Sequence, residues 1–523
     1  MKHCQARNQG LWFAFLDLEE AFERAWREGI LYQLWVAGIR GKCWRVVKEI
    51  LSNISAFVRT NFGDTEKFRL HEGVLQGSVL AAILFLVFIN PLVEALRPHS
   101  PKFNGIQLAA QLFADDIVLP ADSQQRRTLL IRLTIAWSLR WLSSIKDSKS
   151  YLLSTTETDL PDTIVWDKIF RELSKVLHLG IGIDRDGVLH INHVYGKIED
   201  YIKQLDLLTR AGLHLGGIRA DACVHLFEQS ALSLVSYCFA LCPPRSRRVK
   251  LLDEAQANFA KNFLDLPKNT AGAIGKSELG LLDFDLRVTR SLLLMLHRVE
   301  NNDLDPLTKN MLRWPISCFG ATFLSQGQEA MSSIISNTPI STLMSIPYQQ
   351  VSIVLKQACL SKQKSRWLEG QQGTSPLAIH TRAKGRWGFE DALVCLDPGE
   401  MKPFICLRGG AFTPPSTPHH PPTPPKCLLC LEFPPGLNHV LWQCQHFSDT
   451  RAILLSSIPP NIRTLLLSGS PDSATNIVLG GGGSISQPEW LSIRAACISY
   501  IAFVVTQSKD HMSGKLNPPR GPL

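Results

Sequence analysis

Leu11–Leu16 is a short continuous apolar run that stops at Asp17, and this predicts a buried strand ending in an acid. Between Glu19 and Val36 the residues Ala21, Phe22, Ala25, Leu31 and Leu34 recur near helical spacing, with Gly38 as a terminator, so one helix is predicted there and a second over Gly41–Ser52. Residues 56–62 and 66–72 alternate apolar and polar around Gly63–Asp64, a hairpin signal. Ser78–Leu96 reads as a helix. Residues 109–119 read as two short apolar strands flanking the acidic pair Asp115–Asp116, again a hairpin. A helix over 125–145, a strand near Tyr151–Ser154 and a hairpin over Val176–Ile191 with its turn at Asp184–Gly187 complete this part.

From about 195 to 310 the pattern is predominantly helical, and 330–395 is mixed with a run of Lys and Arg. Residues 413–426, TPPSTPHHPPTPPK, form a proline-rich spacer that cannot pack as helix or sheet. A small cysteine/histidine module follows, then a glycine-rich break at 480–483 and a last helix near 488–506. These shifts divide the chain at 1–195, 196–330, 331–412, 413–426, 427–455 and 456–523.

The 523 residues are 45% hydrophobic and 19% charged, as in an ordinary globular protein, and suffice for about two to four domains. The net charge of +9 suits a polyanionic partner without establishing one. The start, MKHCQARNQG, has no apolar run of a secretory signal, and the longest apolar stretch, Val79–Ile89, is too short to span a bilayer. An intracellular protein, nuclear or cytoplasmic and without a membrane partner, is expected. The 13 cysteines are mostly scattered singly in apolar settings, as reduced buried thiols would be.

Asp17 at a strand end and Asp115–Asp116 at a hairpin tip can lie side by side in a sheet although distant in sequence. Three carboxylates converging would repel one another unless a divalent cation lay between them, and hard oxygen donors suit Mg²⁺. The competing reading of an acidic pair is a solvated turn. The apolar setting FADDIVL counts against it, because uncompensated charge inside a strand pattern is costly.

FLDLEEAFERAW (15–26), EGVLQGSVLAAILFLVFIN (72–90) and LFADDIVLPADS (112–123) resemble, in order and spacing, the first three palm motifs of reverse transcriptases from non-LTR (LINE-type) retrotransposons. WSLRWLSSIKDSKSYLLS (137–154) is similar to the fourth and VLHLGIGIDRDGVLHINH (176–193) to the fifth, the primer grip. The resemblance implies an α+β fold: a reverse-transcriptase palm with an antiparallel sheet and packed helices over 1–195, a helical thumb over 196–330, a basic connecting region to 412, the proline-rich linker, a CCHC-type zinc knuckle over 427–455 and a helical tail. It implies RNA-directed DNA synthesis with two catalytic Mg²⁺ ions on Asp17, Asp115 and Asp116, and an RNA template, a DNA primer or target and deoxynucleoside triphosphates as partners. In the same way Leu18 would assist the metal site through its carbonyl and Phe22 would gate against a ribose 2′-hydroxyl. Gln76 and Gly77 would line the nucleotide pocket, and Leu179–Gly180 would lie near the primer end. Lys149 would face the triphosphate, or be a solvated lysine.

The sequence departs from the family at Leu75, where proline is usual, at Ala81–Ala82, where Ser-Pro is usual, at Glu23 in place of aspartate, and at Asp147 in place of asparagine. Only sixteen residues precede Asp17, so the fingers and endonuclease that family members carry upstream do not fit. A truncated polymerase, impaired or inactive alone, is expected. The alternative is a non-catalytic nucleic-acid-binding remnant using the basic thumb, with Arg245, Arg247, Arg248 and Lys250, and the knuckle.

Cys427, Cys430, His439 and Cys444 supply three thiols and an imidazole at tight spacing, the inventory of a structural Zn²⁺ site, with three buried cysteines beside a surface histidine as the other reading. His446 and Arg451 soon after resemble the family's knuckle, whose use is to grip RNA or DNA. Lys362, Lys364, Arg366 and Trp367, then Arg382, Lys384, Arg386 and Trp387, interleave bases with tryptophan; phosphate contacts with base stacking, or a solvated helix face over buried Trp, account for it equally.

Overall fold

Trp12–Asp17 (β1) is apolar on both sides because both of its faces are covered. In the computed structural model the described residues are 10–512, apart from 104–105, 156–159, 186–190, 238–243, 302–308, 311, 314–321, 370–375, 385–386, 389, 391–392, 394–397, 410–411, 413–425, 432–435 and 482–483. The proline-rich spacer and Arg386 therefore lie outside the described residues. The chain forms two units, residues 1–194 with 303–323, and residues 195–302 with 324–523. The content is mixed α+β and mostly helical.

In the first unit, β1 lies inside a six-stranded sheet with Gln111–Phe113 (β2), Asp116–Ala121 (β3), Tyr151–Ser154 (β4), Thr163–Val165 (β5) and Lys168–Glu172 (β6), in the order β5-β6-β4-β1-β3-β2. All neighbours are antiparallel except β4 and β6. Ala14 and Leu16 point to the face packed by Val79–Ile89 (α3) and Gln124–Arg140 (α5), meeting Phe85, Phe88, Leu130, Ile131 and Ile135. Phe15, with Val118 and Leu153, points to the other face. There it meets Val176 of the hairpin Lys175–His178 (β7) and Ile181–Asp184 (β8).

The pattern over Glu19–Val36 yields a helix only from Arg27 to Val36 (α1). The reason lies in the hydrogen bonds. The Phe22 and Ala25 carbonyls, which a helix would use four residues on, accept instead from the N–H groups of Val74 and Gly73. Gly73 is required there: at φ +77° a Cβ would sit 2.1 Å from the Glu23 carbonyl oxygen. The buried Arg27 guanidinium locks the same crossing by donating to the carbonyls of Leu70, Glu72 and Gly73 at 2.6–2.8 Å. Gly41–Ser52 (α2) forms as expected and is tied to α1 by Trp44 Nε1 donating to the Leu31 carbonyl. In the alternating stretch after it, Ser55–Ala56 pairs with Phe68–Arg69 and Arg59–Thr60 with Gly63–Asp64, so the turn falls at 61–62, ahead of Gly63.

The apolar run that begins at Val79 continues beyond Ile89, through Pro91–Leu96 (α4) to His99, because Pro91 occupies the first position of α4, where no N–H is needed. Two helical stretches, Val79–His99 and Gln487–Asp510, are long and apolar enough by length and composition to cross a membrane, so the expectation from length does not hold. The first buries Leu84, Phe85, Phe88 and Ile89 in the unit's core. The β7–β8 hairpin turns at Leu179–Gly180, both in the left-handed region, within the expected first strand, and the expected turn at 184–187 runs into residues outside those described. The β5–β6 hairpin was not legible in the sequence.

In the second unit several cations that read as nucleic-acid contacts are internal. Lys384, at the end of the helix Pro376–Lys384, and Arg408, at the end of the helix Pro398–Arg408, are buried against Glu278 of the helix Gly272–Leu279, together with His380. Burial pushes the Glu278 carboxyl up, but Arg408 and Lys384 beside it hold it well below the usual range. Arg366 binds Asp285 at 2.7 Å, and Trp367 is buried edge-on to Trp387. For these residues the basic and aromatic pattern is core packing. Lys364, Arg245, Arg247 and Lys250 remain exposed.

Beneath the sheet, Arg127 of α5 and Glu172 of β6 form a wholly buried charge contact, Nη2 to Oε2 2.8 Å, at an angle that is not a straight hydrogen bond. Removing one partner strands a charge. Arg127→Ala should therefore lower unfolding free energy by about 3–5 kcal/mol, and Arg127→Met with Glu172→Met should recover most of it, as read by urea denaturation.

Candidate functional site

Asp17 ends β1 and Asp116 begins β3, and the antiparallel register sets the two directly opposite each other. The same register runs unbroken from Trp12 opposite Ala121, so a shift by one residue would turn the buried set Ala14, Leu16, Ile117 and Leu119 to the wrong face. Asp115 stands beside them in the two-residue turn Ala114–Asp115. Ala114 is held at φ +54°, a left-handed conformation worth of order 1 kcal/mol of strain for a residue with a side chain. The three acids are half-buried.

The loop that follows α5 is sewn to the end of β1. The Lys146 N–H donates to the Asp17 carbonyl at 2.8 Å, and the Asp17 N–H donates to Ser150 Oγ at 3.1 Å. Ser150 Oγ in turn donates to the Lys146 carbonyl at 2.7 Å. This brings Lys149 to a cavity of about 240 Å³ lined also by Asp17, Asp116, Tyr151, Leu177 and His178. Burial raises the Asp17 carboxyl, Lys149 opposes this, and repulsion from Asp115 and Asp116 adds to it. Asp116 is raised by burial too, eased by His178 and reinforced by Asp115. His178 is lowered by burial, against the pull of Asp116. The site is therefore an acid cluster that resists full ionisation by itself, with two cationic neighbours, Lys149 and Lys146, at its rim.

Residues 1–183 match the family model described as reverse transcriptase (RNA-dependent DNA polymerase). This segment is a reverse transcriptase domain. Over 214 residues the chain is 23% identical to the RNA-directed DNA polymerase from mobile element jockey of Drosophila funebris, a match covering 38% of this chain and 22% of that protein. Both matches are to reverse transcriptases, and the second agrees with the resemblance of the motifs to non-LTR, LINE-type elements. The chain spans about a fifth of that relative's length. Among solved structures, the telomerase from Candida albicans in complex with a fragment of telomeric RNA is 10% identical with a TM-score of 0.33, over 68% of this chain and 50% of that one. Apo telomerase from Candida tropicalis truncated from its C-terminal domain is 14% identical with a TM-score of 0.27, over 35% and 36%. Scores this low fix neither fold nor function.

In the reverse transcriptase domain, Asp17, Asp116 and Lys149 line one cavity with Asp115 in the adjoining turn, and the other residues singled out in the sequence do not line it. Leu18 is buried between the Lys146-to-Asp17 bond and a matching bond from the Glu19 N–H to the Ser144 carbonyl. Phe22 stacks on Phe85, ring centroids 4.8 Å apart. Gln76 donates to Glu23 at a separate cavity of about 710 Å³ that also takes in Trp26 and His71. Gly77, at φ +85°, has open space where a side chain would be. Leu179–Gly180 form the tip of the β7–β8 hairpin.

Sequence reasoning missed His178, Lys146 and Ser150. His178 had a signal: it follows Val176 by two in a strand, so it shares the face that packs on Phe15, and its ring lies 5.3 Å from that of Phe15. The role of Ser150 had none, because a hydroxyl stitching a loop to a distant strand leaves no periodicity.

A second cluster lies in the other unit. One ligand atom each from Cys427, Cys430, His439 and Cys444 gather within 4.8 Å of one another, which no other group of His, Cys, Asp or Glu does among the described residues. The Cys427 thiol is lowered to about 4, first by a hydrogen bond with Cys444 and then, against burial, by the backbone N–H groups of Cys430 and Leu429. Cys444 is pushed up in turn by the same hydrogen bond and by burial. Cys430 Sγ is 3.1 Å from His439 Nε2.

The raised pKa values have a sign that can be tested. The folded state holds protons on Asp17 and Asp116 more tightly than the unfolded chain does, so ionisation weakens folding as pH rises through the ordinary carboxylate value of about 4. Without divalent cations, Asp116→Asn should raise the melting temperature at pH 7 by about 2–4 °C, and the difference from the wild type should vanish near pH 3. Thermal melts at the two pH values check this.

Proposed function

We propose that this chain is an RNA-directed DNA polymerase that joins deoxynucleotides to a DNA primer on an RNA template. The observation that carries the reading is the pairing of Asp17 with Asp116 across two strands, with Lys149 at the same cavity and Asp115 next to Asp116 in the adjoining turn. In this reading residues 1–195 are the palm, 196–330 a thumb-like region, 331–412 a connecting region, and the exposed Arg245, Arg247 and Lys250 offer charge to phosphates.

Half-buried carboxylates, with Asp17 and Asp116 raised by burial and by the neighbouring acid, are a donor set that fits hard divalent cations, and Asp17, Asp115 and Asp116 would hold two Mg²⁺. When bound, such ions supply charge neutralisation on the phosphates and acidify the primer 3′-hydroxyl. The chain's own residues do the rest. The primer 3′-oxygen attacks the α-phosphorus, its proton is released, and the bond to pyrophosphate breaks. Lys149 faces the triphosphate, where its ammonium balances negative charge. The β7–β8 hairpin, with Leu179–Gly180 at its tip, holds the primer end against the acids. Phe22, supported by Phe85, excludes a 2′-hydroxyl, Gln76 and Gly77 border the incoming nucleotide, and the Leu18 carbonyl assists the ions.

Primer extension by the purified full chain with Mg²⁺, a primed RNA template and deoxynucleotides should be weak, as expected of an impaired polymerase, and Asp17→Asn or Asp116→Asn should each lower it by about a further hundredfold. Extension that Asp116→Asn leaves intact would overturn the reading. So would absence of extension combined with no Mg²⁺-dependent rise in melting temperature.

The second cluster is proposed as a structural Zn²⁺ site of Cys427, Cys430, His439 and Cys444. Thiolates stabilised by backbone N–H groups beside an imidazole fit a tetrahedral zinc. Metal analysis should find zinc equimolar with the chain and none in Cys427→Ser.

A further inference from the structure

The turn that carries two of the four ligands is not a free knuckle. His439–Gln443 forms one wide helical turn, closed by the Cys444 N–H donating to the His439 carbonyl five residues back, and Val440, Leu441 and Cys444 within or beside it are fully buried. Three separate helices grip this turn. From Ser448–Ser457, Arg451 donates through Nε to the Leu441 carbonyl at 2.9 Å and through Nη2 to the Cys444 carbonyl at 2.8 Å. From Gln487–Met512, the Tyr500 hydroxyl donates to the Leu441 carbonyl. From Pro471–Gly480, Thr475 accepts from Trp442 Nε1 at 2.9 Å and donates to Asn438 Oδ1 at 2.7 Å, while Asn438 Nδ2 reaches Asp472. Phe447, just past the last ligand, is buried and edge-on to Phe503 of the terminal helix.

Arg451 is thus spent on the carbonyls of the ligand turn, including that of a ligand itself. Its Nε and one Nη2 donor are engaged on the ligand turn, a positioning role that its place in the sequence did not imply. The other two ligands, Cys427 and Cys430, belong to an earlier arm of the chain that turns on itself through a bond from the Leu431 N–H to the Cys427 carbonyl, and their sulfurs meet the turn at the ligand atoms.

We propose that the Cys/His site is a tie between the arm at 427–430 and the C-terminal helical layer of residues 437–512, with Arg451 a positioning residue that presents His439 and Cys444 to the metal. This rests on the zinc reading above. Metal binding draws the arm onto a turn that the helices already hold, and its loss frees the arm and exposes the layer's buried edge. The layer's order, rather than a surface contact to RNA, is what the metal controls.

The test uses the full chain, with zinc content, limited proteolysis and thermal melting measured on the same samples. Removing zinc with a chelator, or by Cys444→Ser, should open new cleavage sites within residues 427–512 and lower the melting midpoint. Arg451→Gln, which keeps all four ligands, should weaken zinc affinity by about tenfold in a competition titration, with Tyr500→Phe giving a smaller loss. A chain that carries zinc yet shows the same cleavage pattern and midpoint after its removal overturns the tie and leaves the zinc reading standing. A chain that takes up no zinc overturns the zinc reading, and the tie with it. Loss of RNA binding on zinc removal with unchanged proteolysis would assign the module to nucleic acid instead.

Discussion

The first unit is organised around a repulsion that its hydrogen bonding compels. Once β1 and β3 pair so that Ala14, Leu16, Ile117 and Leu119 face the core, Asp17 and Asp116 have no choice but to stand opposite each other. Like charges directly across a ladder destabilise it. The sheet tolerates this because the pair sits at the open end of both strands, where side chains are half-buried and Lys149 and His178 supply partial compensation. The strained Ala114 adds to the same balance. An acid cluster that the fold stabilises elsewhere and compensates only in part here is what a cation-dependent centre would require.

Around that pair the supports come from far along the chain. Ser150, a buried hydroxyl, fixes the end of β1 and the lysine loop together, while the β7–β8 hairpin covers Phe15 and brings His178 against Asp116. Arg27 does the equivalent for the segment that leads into α3, with three carbonyls on one guanidinium. In each case a polar side chain is fully committed to backbone groups, so its contribution is to position rather than to react.

The second unit uses charge in its interior. Glu278 with Arg408, Lys384 and His380 is enclosed among helices, and the ions compensate one another there. This is why composition misleads. A basic stretch such as Arg366–Trp367 or Lys384 looks the same in sequence whether its partner is a phosphate outside or a carboxylate inside. The acids that claim these bases, Asp285 and Glu278, lie about a hundred residues earlier.

The sequence by itself determined the local features: the apolar β1, the Asp115–Asp116 hairpin, α2, α5 and the spacing of the Cys/His ligands. Each is set by periodicity, turn chemistry or ligand geometry within a few residues. It also carried the order of motifs by which the lineage was recognisable. Tertiary structure alone decided that the helix after Asp17 begins only at Arg27, since the Phe22 and Ala25 carbonyls are taken by residues 73–74, and that the hairpin after Lys175 turns at Leu179–Gly180. It decided as well that His178 faces Asp116, and that Arg451 serves the ligand turn. Those outcomes depend on hydrogen bonds and charges between segments distant in the chain, and no local pattern encodes which distant partner a carbonyl or a guanidinium will meet.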